Sequence, residues 1–247
     1  MENTWLTVLG ICFIFAMTTL GSAVVFLFKR GISSKLNATF LGFAAGVMIA
    51  ASVWSLLLPA LESAEVYFPS LPFLPVALGL LLGGVFLSAI DRFLPKEKNE
   101  RASMRLFSAV TLHNIPEGLA VGFAFGATGG FSALGLAVGI GVQNLPEGAA
   151  VSLPMKRVTK SNTKAFLWGV GSGIAEPIFA CLGYFLSAYL LVLQPWLLAF
   201  SAGAMLFVSA QDLIPDAREE SAPSLGAWSA LIGFALMMVL DIALNGA

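Results

Sequence analysis

A polar motif of six residues occurs twice within long apolar stretches of the sequence. The chain reads HNIPEG from His113 and, 30 positions later, QNLPEG from Gln143. In each copy the first residue precedes a glutamate, Glu117 or Glu147, by four positions, which places the two side chains on one face of a helix. Imidazole, carboxylate and amide groups brought together in this way are typical ligands of divalent metal ions.

Further polar groups lie beside the motif. Asn114 and Asn144 follow the first residue of each copy, and Glu176 lies in a third apolar segment. An ionised carboxylate in the middle of such a segment is costly unless it faces a partner, and no Lys or Arg lies near these glutamates in the sequence. A bound cation is the simplest partner, and imidazole with carboxylate suits Zn2+ and other first-row divalent ions better than Ca2+ or Mg2+.

The alternative interpretation is that these polar groups join helices through hydrogen bonds, as amides often do in membranes. For Asn114 and Asn144 taken singly, the two interpretations are balanced. For the whole group, the doubled motif favours a metal site. A lone histidine is ordinarily a packed core residue, but the Glu117 that follows His113 and the matching Gln143–Glu147 pair favour a ligand.

Three prolines lie beside the predicted ligands. Because proline has no N–H, each should free a main-chain carbonyl one turn back and break its helix near the site. The freed carbonyls would add oxygen ligands. The prolines are Pro116, Pro146 and Pro177, and the carbonyls are those of Leu112, Val142 and Gly173.

The composition is that of an integral membrane protein. The 247 residues are 58% hydrophobic and 11% charged, whereas a soluble domain carries roughly 25% charged residues. The net charge of -1 argues against a nucleic-acid partner. Eight segments are apolar over the roughly 20 residues that a bilayer span requires. They are 5–28, 37–61, 72–94, 104–127, 131–153, 163–190, 196–214 and 224–244.

All basic residues fall on one side of this arrangement. The 13 Lys and Arg residues lie in or beside the connections between segments 1–2, 3–4, 5–6 and 7–8. Because basic loops face the cytoplasm, both termini are predicted to be extracellular or periplasmic in a multi-pass protein of the cell membrane. The connections are too short for a soluble domain, so residues 1–247 are expected to form a single transmembrane domain embedded in the lipid bilayer.

Internal similarity predicts inverted repeats. Segments 2 and 7 share residue types at eight positions, each pair 157 residues apart, including Gly46 with Gly203 and Ser52 with Ser209. Segments 4 and 5 share the six-residue motif. In both cases the partners cross the membrane in opposite directions, which is typical of transporters built from inverted repeats, here helices 1–3 and 6–8 with helices 4 and 5 paired.

With these paired motifs and eight predicted segments, the sequence resembles the ZIP (Zrt/Irt-like) family of metal transporters, in particular its bacterial GufA-like branch. The resemblance covers essentially the whole chain and implies a binuclear metal site between helices 4, 5 and 6. It implies movement of Zn2+, Fe2+, Mn2+, Co2+ or Cd2+ into the cytoplasm, with helices 1, 4, 5 and 6 sliding against helices 2, 3, 7 and 8. The first metal position would use His113, Glu117, Gln143 and Glu147, and the second Asn114, Asn144, Glu147 and Glu176.

The chain departs from the family pattern at two of these positions. Many members have histidine where Gln143 stands, and some relatives have aspartate where Asn144 stands. Both differences weaken the sites. Many members also carry a histidine-rich loop between helices 3 and 4, whereas this loop has no histidine, so metal sensing by the loop is not expected.

The sequence also bears on two other functions. An intramembrane metalloprotease would need an H-E-x-x-H pattern, which a single histidine cannot supply. A proton-coupled carrier of a small organic solute, with the glutamates as proton relay, is the alternative to metal transport. The metal is expected as transported substrate and not as a resident cofactor, and the chain could also form a homodimer.

Acidic residues cluster at two predicted helix ends. Segment 2 ends with Pro59, Glu62 and Glu65 on the outer side, and segment 7 ends with four acids on the inner side. The hypothesis is that both clusters concentrate cations at the mouths of the path, although ordinary solvated helix ends explain them equally well. The inner acids are Asp212, Asp216, Glu219 and Glu220.

The one-sided distribution of basic residues predicts the result of cysteine labelling. In a background without Cys12 and Cys181, single cysteines near positions 3 and 245 should react with a membrane-impermeant reagent added to intact cells. A cysteine near position 98 should react only after the cells are opened. Labelling of position 98 from outside would show that the orientation is inverted.

Overall fold

The structure is a computed structural model that describes residues 4–28, 33–90, 98–127, 130–218 and 223–245. All regular secondary structure in these ranges is helical, and we number eight long helical segments α1 to α8. They are α1 (Thr4–Ala23, then a 3-10 turn Val24–Leu27), α2 (Ser34–Ala51, π-helical Ser52–Leu57 and Leu58–Tyr67), α3 (Phe73–Ile90), α4 (Lys98–Ala127), α5 (Gly130–Thr159), α6 (Asn162–Gly173 and Ala175–Leu190), α7 (3-10 turn Leu191–Leu193, Gln194–Val208, π-helical Ser209–Leu213 and Ile214–Asp216) and α8 (Pro223–Asn245).

Within the described ranges, five helical segments are long and apolar enough to cross a membrane, and a sixth apolar helix is shorter. The five are Thr4–Leu27, Ser34–Tyr67, Asn162–Leu186, Leu191–Asp216 and Ser224–Ala243, and the sixth is Phe73–Ala89. α4 and α5 are outside this set, and the polar motif lies in the middle of both. An all-α membrane protein is therefore confirmed, whereas the count of eight spans and the orientation of the termini stay predictions.

The helices divide into two bundles by the extent of their packing. α1 packs most extensively against α5, and α4 against the second half of α6. α2 packs most extensively against α8, and α3 against α7. We call α1, α4, α5 and α6 the site bundle, because the predicted ligands lie on three of its helices, and α2, α3, α7 and α8 the flanking bundle. Contacts between the bundles, chiefly α4 with α7 and α2 with α5, are less extensive.

Glycines allow close backbone contact inside each bundle. A Cβ atom at Gly122 in α4 would overlap the main-chain oxygen of Ala180 in α6, and one at Gly83 in α3 would overlap that of Phe200 in α7. Such small-residue contacts are a common means of packing membrane helices. In the described ranges, every close approach of a glycine to another helix lies within one of the two bundles. Each bundle is thus held by backbone contact, and the interface between the bundles is not.

Two helices of the flanking bundle widen into π-helix at equivalent places. The π segments begin at Ser52 in α2 and at Ser209 in α7, the serines that the sequence repeat pairs. Ser52 Oγ donates to the main-chain oxygen of Met48 at 2.7 Å. Paired distortions are what an inverted repeat would produce, and they add an observation in favour of that prediction.

The prolines break fewer helices than the sequence suggests. α4 and α5 run continuously through Pro116 and Pro146, so the expectation of broken helices there is wrong. Each proline removes one hydrogen bond from a helix of 30 residues that retains many others. α6 is interrupted at Ile174, and its second half restarts at Ala175. Pro177 therefore falls in a first turn, where its missing N–H has no intrahelical partner to lose.

The glycine contacts predict a position-specific effect of added methyl groups. Gly122→Ala should lower the free energy of unfolding by about 1–3 kcal/mol through overpacking. Gly135→Ala is the matched control, because a Cβ atom there meets nothing within 4 Å. Both variants share the change in helix propensity, so the difference between their thermal unfolding midpoints in detergent isolates the contact. Equal midpoints would contradict the role of Gly122.

Candidate metal centre

Three predicted ligands form a buried cluster. His113 Nε2 lies 3.0 Å from Oε1 of Glu117 in α4 and 3.4 Å from Oε1 of Glu147 in α5. One ligand atom from each residue lies within 4.8 Å of the others, and all three side chains are essentially inaccessible. Donor atoms bound about 2 Å from a tetrahedral Zn2+ lie roughly 3 to 4 Å apart, so this spacing suits one small cation.

The cluster makes no hydrogen bonds to other groups within the described ranges. Apart from the contacts of His113 Nε2 with the two glutamates, the ring nitrogens of His113 and all four carboxylate oxygens of Glu117 and Glu147 are buried without a hydrogen-bond partner. Two ionised carboxylates at separations up to 4.8 Å repel each other by at least about 3 kcal/mol at an effective dielectric constant of about 20. A divalent cation would satisfy the lone pairs and offset both charges at once.

The glycine that ends each copy of the motif brings neighbouring helices close. A Cβ atom at Gly118 in α4 would overlap the main-chain oxygen of Glu176, and one at Gly148 in α5 would overlap that of Thr18. The two motifs are thus pressed against α6 and α1. This contact explains why a glycine follows each glutamate.

Gln143 links the cluster to the flanking bundle. Its Oε1 lies 3.4 Å from Ser55 Oγ in α2, and its Nε2 is buried without a hydrogen-bond partner in the described ranges. Ser55 Oγ donates to Oδ1 of Asp241 in α8 at 2.8 Å. Sequence reasoning missed Ser55 and Asp241. A buried acid inside an apolar segment was the signal that could have found Asp241.

Glu176 lies in a separate hydrogen-bonded group. Thr18 Oγ1 in α1 donates to its Oε1 at 2.5 Å, and Asn144 Nδ2 donates to its Oε2 at 2.9 Å. Glu176 is fully buried, and each of its carboxylate oxygens already accepts a hydrogen bond from a neutral donor. Thr18 was missed because a threonine in an apolar helix carries no distinctive sequence signal.

Asn114 also joins two helices. Asn114 Nδ2 in α4 donates to the main-chain oxygen of Ser172 in α6 at 2.8 Å, just before the interruption of α6 at Ile174. Its Oδ1, like that of Asn144, is buried without a hydrogen-bond partner in the described part of the chain. The two amides thus hold α4 and α5 to α6, and each keeps one oxygen free to bind a cation.

A cavity of about 180 Å³ lies at the end of the molecule that the topology prediction assigns to the cytoplasm. It brings together the start of α2, the start of α4 and the ends of α5 and α7, with Asn37, Ser103, Arg157 and Asp216 in its lining. Among the inner acids, Asp212 lines the cavity and pairs with Arg105, while Glu219 and Glu220 lie outside the described residues. At the outer end, Glu62 and Glu65 are exposed.

Comparison with known proteins agrees with this geometry. The family model described as ZIP Zinc transporter matches residues 97–241, more than half of the chain. The chain belongs to this family. It is 35% identical to Zinc transporter ZIP11 of Xenopus tropicalis, in an alignment that covers 97% of each protein.

Bacterial relatives match over most of the chain as well. The identity is 38% with Zinc transporter ZIPB of Bordetella bronchiseptica, covering 94% of this chain and 79% of that protein. It is 32% with Zinc transporter GufA of Myxococcus xanthus, covering 92% and 94%. The resemblance to the ZIP family and its GufA-like branch is therefore confirmed. Family membership supports divalent metal transport in a membrane and confirms that the chain is not an enzyme.

The contacts of Glu176 predict a role for Thr18 in holding that side chain. Thr18→Val removes the hydroxyl that donates to the carboxylate with little change in shape, and should destabilise the protein by about 1–3 kcal/mol. Thr18→Ser keeps the donor and is the matched control. Thermal unfolding of the purified variants in metal-free buffer measures the difference, and equal midpoints for the two variants would contradict the contact.

Proposed function

We propose that residues 1–247 form a single transporter domain that moves divalent metal cations, Zn2+ first, across the cell membrane into the cytoplasm. Fe2+, Mn2+, Co2+ and Cd2+ are the further candidate substrates. The observation that carries the proposal is the buried group of His113, Glu117 and Glu147, whose ligand atoms lie within 4.8 Å of one another and have no hydrogen-bond partner outside the group in the described ranges. An apolar interior tolerates such a group when a cation binds to it.

The first metal position is the better candidate for the transport site. His113, Glu117 and Glu147 supply one imidazole and two carboxylates, and the two negative charges offset a divalent cation. The second position has Glu176, whose two oxygens accept hydrogen bonds from Thr18 and Asn144. Glu176 is the only carboxylate that this position does not share with the first, since Glu147 belongs to both, and the amides add no charge. The second position is therefore auxiliary or weakly occupied.

The packing supports an elevator-like motion of one bundle against the other. Glycine contacts between backbones hold α1 to α5 and α4 to α6, and hold α2 to α8 and α3 to α7. The ligands His113, Glu117 and Glu147 all lie in the site bundle, so the site can move as a unit. The interface between α4 and α7 is less extensive, and part of it is apolar. In that part, the side chains of Leu119, Phe123, Leu197 and Leu198 can slide past one another without breaking hydrogen bonds.

Uptake by ligand variants tests the assignment. His113→Ala, Glu117→Ala and Glu147→Ala should each lower uptake of labelled Zn2+ into proteoliposomes by at least about tenfold, because each removes a direct ligand. Glu176→Ala should retain measurable uptake with altered affinity or selectivity. Asn144→Asp should raise metal occupancy of the second position, measured as metal bound per purified protein.

Two controls accompany these variants. Glu100→Gln removes an exposed acid at the start of α4 and should leave uptake unchanged. A panel of organic solutes tests the alternative carrier function, and uptake of a solute without metal uptake would favour it. If Glu176→Ala is as inactive as Glu117→Ala while His113→Ala still transports, the second position is the transport site.

A further inference from the structure

A buried ion pair joins the two bundles below the metal centre. Arg105 in α4 donates through Nη1 to Oδ1 of Asp212 in α7 at 2.5 Å. The two side chains are only 11% and 9% exposed. Charge-assisted hydrogen bonds of this length are strong, and their partners are costly to separate when little water reaches them.

Along α4, the pair lies between the level of the metal centre and the inner cavity. Arg105 precedes His113 by eight residues in the same continuous helix, which places it about 12 Å closer to the predicted cytoplasmic end. Asp212 and the neighbouring side chain of Leu106 line the cavity. A cation that leaves the cluster for the cavity along this side of α4 therefore meets the guanidinium of Arg105. The carboxylate of Asp212, which could otherwise attract the cation, is paired with that guanidinium.

The local helix geometry singles out the same position. Asp212 belongs to the π-helical segment Ser209–Leu213, whereas the first half of α7 is regular α-helix. Single π-helical turns are frequent at functional sites because they change the direction in which side chains project. Here the widened turn carries the acid that reaches across the bundle interface to Arg105.

We propose that Arg105 and Asp212 form the inner gate of the transport path, which is closed when the two side chains are paired. The inference rests on the proposed transport function and adds a residue pair that controls access to the site from inside. Arg105 moves with the site bundle and Asp212 stays with the flanking bundle, so sliding of the bundles separates them. Separation opens the route and removes the positive charge of Arg105 from the acid that the cation passes.

Thiol accessibility measures the state of this gate without requiring transport. Leu112 is half-buried, lies seven residues after Arg105 on the same face of α4, and packs against the core that includes the flanking bundle. The reporter is Leu112→Cys in a protein lacking Cys12 and Cys181. The protein is reconstituted in vesicles, and a membrane-impermeant thiol reagent is added on the side that the predicted cytoplasmic ends of the helices face. Arg105→Gln or Asp212→Asn should each speed labelling by about tenfold, because each leaves the ion pair broken.

A double-mutant cycle separates pairing from general loosening. Arg105→Gln with Asp212→Asn should label no faster than either single variant, since each already removes the same interaction. Arg157→Gln, a neutralisation in the lining of the same cavity, is the matched control and should label at the parental rate. Additive effects of the two variants, or parental rates in both, would overturn the gate. Failure of the parental protein to take up metal would instead refute the transport function, and the labelling result would still report on the pair.

Discussion

The burial of two carboxylates beside a histidine is the constraint on which the rest of the structure depends. Burying a carboxylate costs several kcal/mol, and Glu117 and Glu147 are buried side by side with no hydrogen-bond partner other than His113 in the described ranges. In the proposed transport cycle, the two carboxylates offset the charge of one divalent ion, so the loaded site would be nearly neutral. In the empty site the carboxylates face only His113, and this difference would couple the position of the site bundle to occupancy of the site.

Movement of a loaded site requires rigid bundles and an interface that can rearrange. Backbone contact at glycines such as Gly122 and Gly83 makes each bundle rigid, because neighbouring helices cannot shift without losing close packing. Across the interface, two polar links stand out in the described ranges: Ser55 with Gln143, and Arg105 with Asp212. Both involve short-range contacts of side chains, which can break and reform while the backbones of each bundle stay together.

Much of the site could be predicted from the sequence, because its ligands lie in local motifs. The i, i+4 spacing of His113 and Glu117 and the second copy of the motif indicate both the ligands and their common helical face. Partners that are distant in the sequence carry no such signal. The contacts of Thr18 with Glu176, of Ser55 with Gln143 and of Arg105 with Asp212 could therefore be identified only from the structure. The expected breaks at Pro116 and Pro146 were wrong because local proline rules do not count the packing and remaining hydrogen bonds of a long helix.

The two copies of the motif are chemically unequal, and this inequality bears on metal selectivity. His113 supplies the sole imidazole of the chain, whereas the equivalent position in α5 carries the amide of Gln143. Imidazole favours Zn2+ and its first-row neighbours, while carboxylate and amide oxygens also suit Mn2+. A site with one nitrogen donor among oxygens discriminates less against oxygen-preferring metals than a site with two imidazoles. If the cluster is the proposed Zn2+ site, its selectivity must therefore depend on the positions of Glu117 and Glu147, each of which precedes a glycine in close contact with a neighbouring backbone.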